Sequence, residues 1–166
     1  IYKCAKTSYF KKMQELRNIP IEGNKGSLKG FDDLKCIFVH IPKNGGVSIN
    51  KLLFNNLGGG HYTIKNYSLI FNKYEFNNYY KFTIVRNPID RLRSAYYFLR
   101  QGGFHTKDQL WFKNNLKRYK NFEDFIDNWL SKKNIYRYPH FLPQFEYITI
   151  ANKIMVDDIF KLENID

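Results

Sequence analysis

Two adjacent glycines, Gly45 and Gly46, stand between an apolar run and a helical pattern, and they narrow the possible folds more than any other stretch. Ile37 to Ile41 is short, rich in β-branched residues and closed by Pro42, which suits a buried parallel strand. After the glycines, Ile49, Leu52, Leu53 and Leu57 recur at helical spacing, and Gly58 to Gly60 stop the pattern. The expected order is strand, tight turn, helix. Glycine lets the backbone turn sharply and come close to an anion. The amides from Asn44 to Ser48 are then the unsatisfied donors of a helix start, where anions bind. Lys43 adds a positive charge and Ser48 a hydroxyl. The plain alternative is an ordinary strand-to-helix turn, and the Pro-Lys before and Ser after favour an anion cradle over it. The stretch is not the GxxxxGK[ST] loop, because Lys43 precedes the glycines.

The same device recurs. Tyr80 to Val85 reads as a second strand, Arg86 stands at its end, and Asn87 caps a helix with Pro88 at the first position. In that helix Ile89, Leu92, Tyr96 and Leu99 share one face, Ser94 lies roughly opposite, and Gly102-Gly103 end it. Ligands of open α/β sheets bind beyond the strand ends, and the planar arginine fork suits a phosphate monoester. A salt-bridged helix start among Arg86, Asp90 and Arg91 is the competing explanation. Two anion sites on successive strand ends imply a ligand with two separated phosphate groups.

Elsewhere, Thr63 caps a helix through about Phe71, and Gln109 to Leu116 is a further helix. Asn121 with Asp124 resembles a capping box ahead of Phe122, Phe125, Ile126, Trp129 and Leu130, a stripe that reads as core rather than as a glycan platform. Tyr138 to Tyr147 is aromatic and broken by proline, and Lys153 to Leu162 offers a last strand. Strands alternating with helices argue for an α/β layer fold with a mainly parallel sheet. Residues 1–30 read as a basic arm with a short helix from Tyr9 to Arg17, and 31–166 as the α/β domain.

Lysine and arginine number 27 against 15 acidic residues, a net charge of +12. That balance suits an anionic ligand or a generally basic surface without choosing between them. At 43% hydrophobic the chain is too apolar for disorder, yet no run is long enough to span a membrane. Cys4 and Cys36 have no CxxC spacing and do not make a metal site. A disulfide between them is the less favoured reading, and the redox compartment stays open.

FVHIPKNGGVSI resembles the 5′-phosphosulfate loop of sulfotransferases that use 3′-phosphoadenosine 5′-phosphosulfate (PAPS), and TIVRNPIDRLRSAYYFL resembles their 3′-phosphate motif, in the same order and about forty residues apart. HFLPQFEYI and VDDIFKLENI resemble the carbohydrate branch that contains heparan sulfate 2-O-sulfotransferase. The resemblance spans about Leu34 to Asp166. It implies a three-layer, P-loop-like α/β fold with a central parallel sheet flanked by helices. By position, Lys43, Asn44, Gly45, Gly46, Val47 and Ser48 would hold the 5′-phosphosulfate, and Arg86 and Ser94 the 3′-phosphate. The family often has threonine where this chain has Asn44 and Val47, and Val47 offers no hydroxyl, so weaker donor binding is expected. The family also continues past the pair here occupied by Glu163 and Asn164, so the expectation is a truncated C-terminus or a more open site.

The implied reaction is in-line sulfuryl transfer from PAPS to a carbohydrate hydroxyl without a metal, with Lys43 and the helix start stabilising developing charge. The implied partners are PAPS and a glycan acceptor, anionic or neutral, and not nucleic acid. The compartment would be the Golgi lumen or a membrane-anchored setting in a eukaryote, and the cytoplasm in a bacterium. The proton of the acceptor hydroxyl needs a base. His61, after the glycine breaker, is the first choice. His40 reads as a residue that orients the loop. His140 and Gln144 are candidates for acceptor binding, His105 has no expected catalytic role, and Glu163 reads as a structural carboxylate. A nucleotide-dependent phosphotransferase and a non-catalytic anion- or glycan-binding module derived from a sulfotransferase stand as the other two readings.

Overall fold

The structure is a computed structural model, and it describes residue 11, residues 14–19 and residues 26–165. Cys4, and part of the helix expected from Tyr9 to Arg17, lie outside the described residues. The chain divides into two compact units, one running to Val85 and resuming with Gln144–Asp166, the other Arg86–Pro143. Each is described by itself.

In the first unit the strands are β1 (Cys36–Val39), β2 (Tyr80–Val85), β3 (Thr149–Ile150), β4 (Lys153–Ile154) and β5 (Asp158–Lys161). β1, β2 and β5 form a parallel sheet in the order β1-β2-β5, flanked by helices, as the alternating pattern predicts. The register sets Val39 beside Thr83 and Thr83 beside Ile159. Because the three strands run one way, the turn after Val39 and the residues after Lys161 leave from the same edge. β2 is the central strand and buries Lys81, Phe82, Thr83 and Ile84, which explains an apolar run rather than an alternating one. Lys81 is tolerated because its ammonium donates to Tyr79 O at 2.7 Å and lies 3.2 Å from Asp157.

The single strand expected from Lys153 to Leu162 is two. β4 pairs antiparallel with β3, and only β5 joins the main sheet. Between them, Asp157 turns its carboxylate to the Lys81 amide at 2.7 Å, which ends one pairing and starts the next.

The helix after the glycines is Gly46–Phe54, shorter than the pattern suggested and rotated from it. Leu52 and Leu53 are exposed, whereas Gly46, Asn50 and Phe54 are buried. These three are four residues apart and share a face. Phe54 closes that face against Phe31, with ring centroids 4.7 Å apart. Thr63 caps Ile64–Ile70 as expected, and Asn72 with Glu75 caps a further helix, Lys73–Asn78. Residues 14–18 are helical, and Arg17 bonds Asp32 and Glu75 at 2.6 and 2.9 Å while lying over the Phe71 ring. Leu28 is fully buried.

In the second unit, helices Pro88–Arg100, Thr106–Asn115 and Phe122–Asn128 surround a core of Tyr96, Leu99, Leu116, Phe125, Trp129 and Phe141. Asn87 Oδ1 accepts from the amides of Ile89 and Asp90, the expected cap. Ile89 is not on the buried face, being 59% exposed in the first turn, and Arg91 is buried instead. Its guanidinium donates to His140 O at 3.2 Å. Among the described residues no helix is long and apolar enough to cross a membrane.

Candidate functional site

The site is built on the turn between β1 and the Gly46–Phe54 helix. Lys43 has φ 70° and Gly45, the N-cap, φ 74°. Lysine rarely adopts a left-handed backbone, and such residues concentrate at functional turns. Gly45 brings no side chain to cap the helix, and the first turn holds no acidic residue. Ile49 is the first amide with a helical partner, donating to Gly45 O at 3.2 Å. The amides of Gly46, Val47 and Ser48 precede it and have no acceptor within the helix. The other long helix that follows a strand, Pro88–Arg100, has the Asn87 side chain over its amides. Gly45 and Ser48 are exposed, and Lys43 and Val47 are half-buried. Three amides without a helical acceptor, preceded by Lys43 and including that of the exposed Ser48, thus stand at one helix start that no side chain caps.

The turn is braced from beneath. Asn44 is 1% exposed, and its amide nitrogen donates to Ile84 O and to Gln144 Oε1, both at 2.8 Å. Its side chain therefore holds the loop in place. Gln144, expected at an acceptor site, is the partner in that brace. A β-carbon on Gly45 would lie 3.1 Å from Leu162 Cδ1, so the residue after β5 walls one side of the turn. His40 walls the other, since a β-carbon on Gly46 would lie 1.9 Å from its Cδ2. Both positions therefore need glycine, Gly46 because the His40 ring occupies the space a β-carbon would take and Gly45 because its φ is positive.

His61 is exposed, and its ring stands edge-on to that of His40, with centroids 4.7 Å apart at 77°. The structure thus brings together Lys43 to Ser48, His40, His61 and Gln144 in the first unit. The sequence reading missed the side-chain roles of Asn44 and Asn50. Asn50 carried a readable signal, since it lies four residues after Gly46, where a helical side chain can reach the Gly46 carbonyl.

Arg86, Ser94 and His140 belong to the second unit. Arg86 follows the last residue of β2 and is half-buried, as is Ser94 on the Pro88–Arg100 helix. His140 is 7% exposed, with its ring stacked between Phe98 at 5.0 Å and Tyr138 at 5.4 Å. Beside it, Asp108 accepts from the Tyr138 hydroxyl and from the amides of Phe104 and His105. Burial alone would raise the Asp108 pKa, but these donors outweigh it and hold the carboxyl below the usual range. Tyr138 is pushed up, by burial and by the Asp108 carboxylate it faces.

A parallel sheet whose strand ends lead into an uncapped, glycine-started helix is the arrangement in which α/β proteins receive anionic groups. A model described as the sulfotransferase family matches residues 29–166, and the chain belongs to that family. No curated protein and no solved structure matches the chain at a significant level. Membership places the chain among proteins whose chemistry is the transfer of a sulfuryl group.

Proposed function

We propose that the protein transfers a sulfuryl group from PAPS to a hydroxyl of a carbohydrate. The observation that carries this is the uncapped start of the Gly46–Phe54 helix behind Lys43 and Gly45, in a chain of the sulfotransferase family. The amides of Gly46, Val47 and Ser48, the Ser48 hydroxyl and the Lys43 ammonium would bind the 5′-phosphosulfate. The Arg86 guanidinium and the Ser94 hydroxyl would bind the 3′-phosphate. When bound, PAPS supplies the sulfuryl group, whose bond to the 5′-phosphate oxygen breaks as its bond to the acceptor oxygen forms. Lys43 and the helix start stabilise the negative charge that grows on the leaving phosphate. His61, exposed beside the loop, takes the acceptor hydroxyl's proton at an imidazole nitrogen. The cradle fixes the donor in one orientation, which removes part of the entropic barrier.

Thermal shift with 3′-phosphoadenosine 5′-phosphate against ATP with Mg²⁺ tests the donor. The bisphosphate is expected to stabilise the protein more, and Arg86→Ala to abolish the preference. Stronger stabilisation by ATP would replace this reading with a phosphotransferase. Transfer of label from PAPS to a panel of glycans tests turnover, and His61→Ala should lose turnover while keeping bisphosphate binding.

A further inference from the structure

His40 is 6% exposed; its ring stacks on Phe38 of β1 at 5.9 Å, and three of its other contacts bear on the site. Its ring lies against Gly46 so closely that a β-carbon there would sit 1.9 Å from Cδ2 and 2.2 Å from Nε2. Asn50 bridges the two residues. Its Nδ2 donates to Gly46 O at 2.8 Å and lies 3.5 Å from His40 Nδ1. The Gly46 carbonyl only accepts, so the Asn50 amide must present its nitrogen, and His40 Nδ1 faces a donor. On the far side of Asn50, a β-carbon on Gly58 would lie 2.5 Å from Oδ1. Gly58 opens the segment that leads to His61, and the His61 ring returns to stand edge-on against His40 at 4.7 Å. Residues 40, 46, 50, 58 and 61 therefore make one packed ring between the helix start and the exposed histidine.

We infer that His40 is a positioning residue that sets the Gly46 end of the anion cradle and the ring of His61 together. The inference rests on the proposed function, in which the Gly46 amide meets the phosphosulfate and His61 takes the proton. His40 is not the base: it lies beneath Gly46, whereas His61 is exposed. Packed interiors shift as blocks, so a smaller side chain at His40 would let the cradle and His61 move at once.

The test uses the full chain with His40→Ala, His40→Phe, Gly46→Ala and the pair His40→Ala with Gly46→Ala. Calorimetry reads the affinity for 3′-phosphoadenosine 5′-phosphate, and NMR reads the His61 imidazole resonances, which an edge-on neighbouring ring displaces. His40→Ala is expected to move the His61 resonances and to weaken the bisphosphate by about tenfold, the scale of one hydrogen bond to a charged group lost from the cradle. His40→Phe keeps a flat ring over Gly46 and should recover most of that affinity. The double variant, in which the added methyl meets no ring, should fold where Gly46→Ala alone does not. A folded His40→Ala with unchanged His61 resonances and unchanged affinity overturns the inference. Should His40→Ala not fold, His40→Phe decides: near-native affinity supports positioning by the ring, and affinity lost in a folded protein overturns it. Failure of the wild type to bind the bisphosphate overturns the proposed function instead, and the His61 resonances then judge the contact by themselves.

Discussion

The side-chain amide of Asn44 donates to Gln144 Oε1 across 2.8 Å, joining residues 100 positions apart. Its second hydrogen goes to Ile84 O, also at 2.8 Å. One side chain thus fastens the loop to the second-last residue of β2 and to the first residue of the Gln144–Ile148 helix. The expected cost of Asn44→Ala is about 2 kcal/mol, because buried acceptors lose their donor. Asn44→Asp should cost more, since it sets carboxylate oxygens against the Ile84 and Gln144 acceptors. Gln144→Ala should cost least, as the Ile84 bond survives. Urea unfolding measures all three, and an Asn44→Asp protein as stable as the wild type would show that the amide is not the fastening.

Val47 stands half-buried in the first turn of the helix, one residue after the glycine pair. It offers an amide but no hydroxyl. Val47→Thr adds a donor of nearly the same volume at the helix start. One further hydrogen bond to a charged oxygen should tighten 3′-phosphoadenosine 5′-phosphate by roughly five- to tenfold, corresponding to about 1–1.5 kcal/mol. Calorimetry of the two proteins side by side reads this, and equal affinities would mean that the Val47 side chain faces away from the ligand.

Arg17 bonds both Asp32 and Glu75 and covers the Phe71 ring at 4.6 Å. Its pKa is raised: burial would lower it, but the two carboxylates outweigh burial. The hydrogen bond from Arg17 is also the largest cause holding the Glu75 pKa down. Arg17→Met keeps much of the packing but leaves two carboxylates facing each other, and should destabilise the protein by about 2–3 kcal/mol. Arg17→Lys should recover only part, because an ammonium cannot meet both carboxylates with paired donors. Chemical denaturation separates these, and a Lys variant equal to wild type would argue for charge alone.

The sequence exposed the strand–turn–helix pairs because glycines, Pro42, Asn87 and Pro88 act locally, whatever packs around them. It misjudged the buried face of the Gly46–Phe54 helix for a non-local reason. Counting apolar residues puts Leu52 and Leu53 inward, yet the contact of His40 with Gly46 fixes the rotation and buries Asn50. A buried asparagine reads as a surface residue until its partner, the Gly46 carbonyl, is known. The break between β4 and β5 was hidden similarly, since Asp157 ends the strand through a bond to Lys81, 76 positions away. The capping box of Asn72 and Glu75 was written in the sequence by its spacing alone. His40, His61 and the loop were each readable as candidates, while their ring contact was not, because it depends on how the Gly58–Gly60 turn returns.

Asp108 and Tyr138 give the second unit a defined pH window. The folded Asp108 carboxyl has a lowered pKa, so its contribution is present above the unfolded value, about 3.9, and is lost as pH falls through the folded one. The folded Tyr138 pKa is raised, so its contribution is present below about 10 and is lost as pH rises beyond it. Asp108→Asn keeps an acceptor for the Tyr138 hydroxyl but turns a donor toward the amides of Phe104 and His105. The variant should be less stable at neutral pH by about 1–3 kcal/mol. That gap should begin to narrow below about pH 4, where the unfolded carboxylate takes up its proton, and close only as the pH falls through the lowered folded value of Asp108. In the alkaline range, tyrosinate absorbance of the variant should show one tyrosine ionising closer to the ordinary value. Unfolding curves for both proteins from acid to neutral pH carry the test. A gap that stayed constant with pH would mean that the charge on Asp108 contributes nothing and that only the shape of its side chain matters.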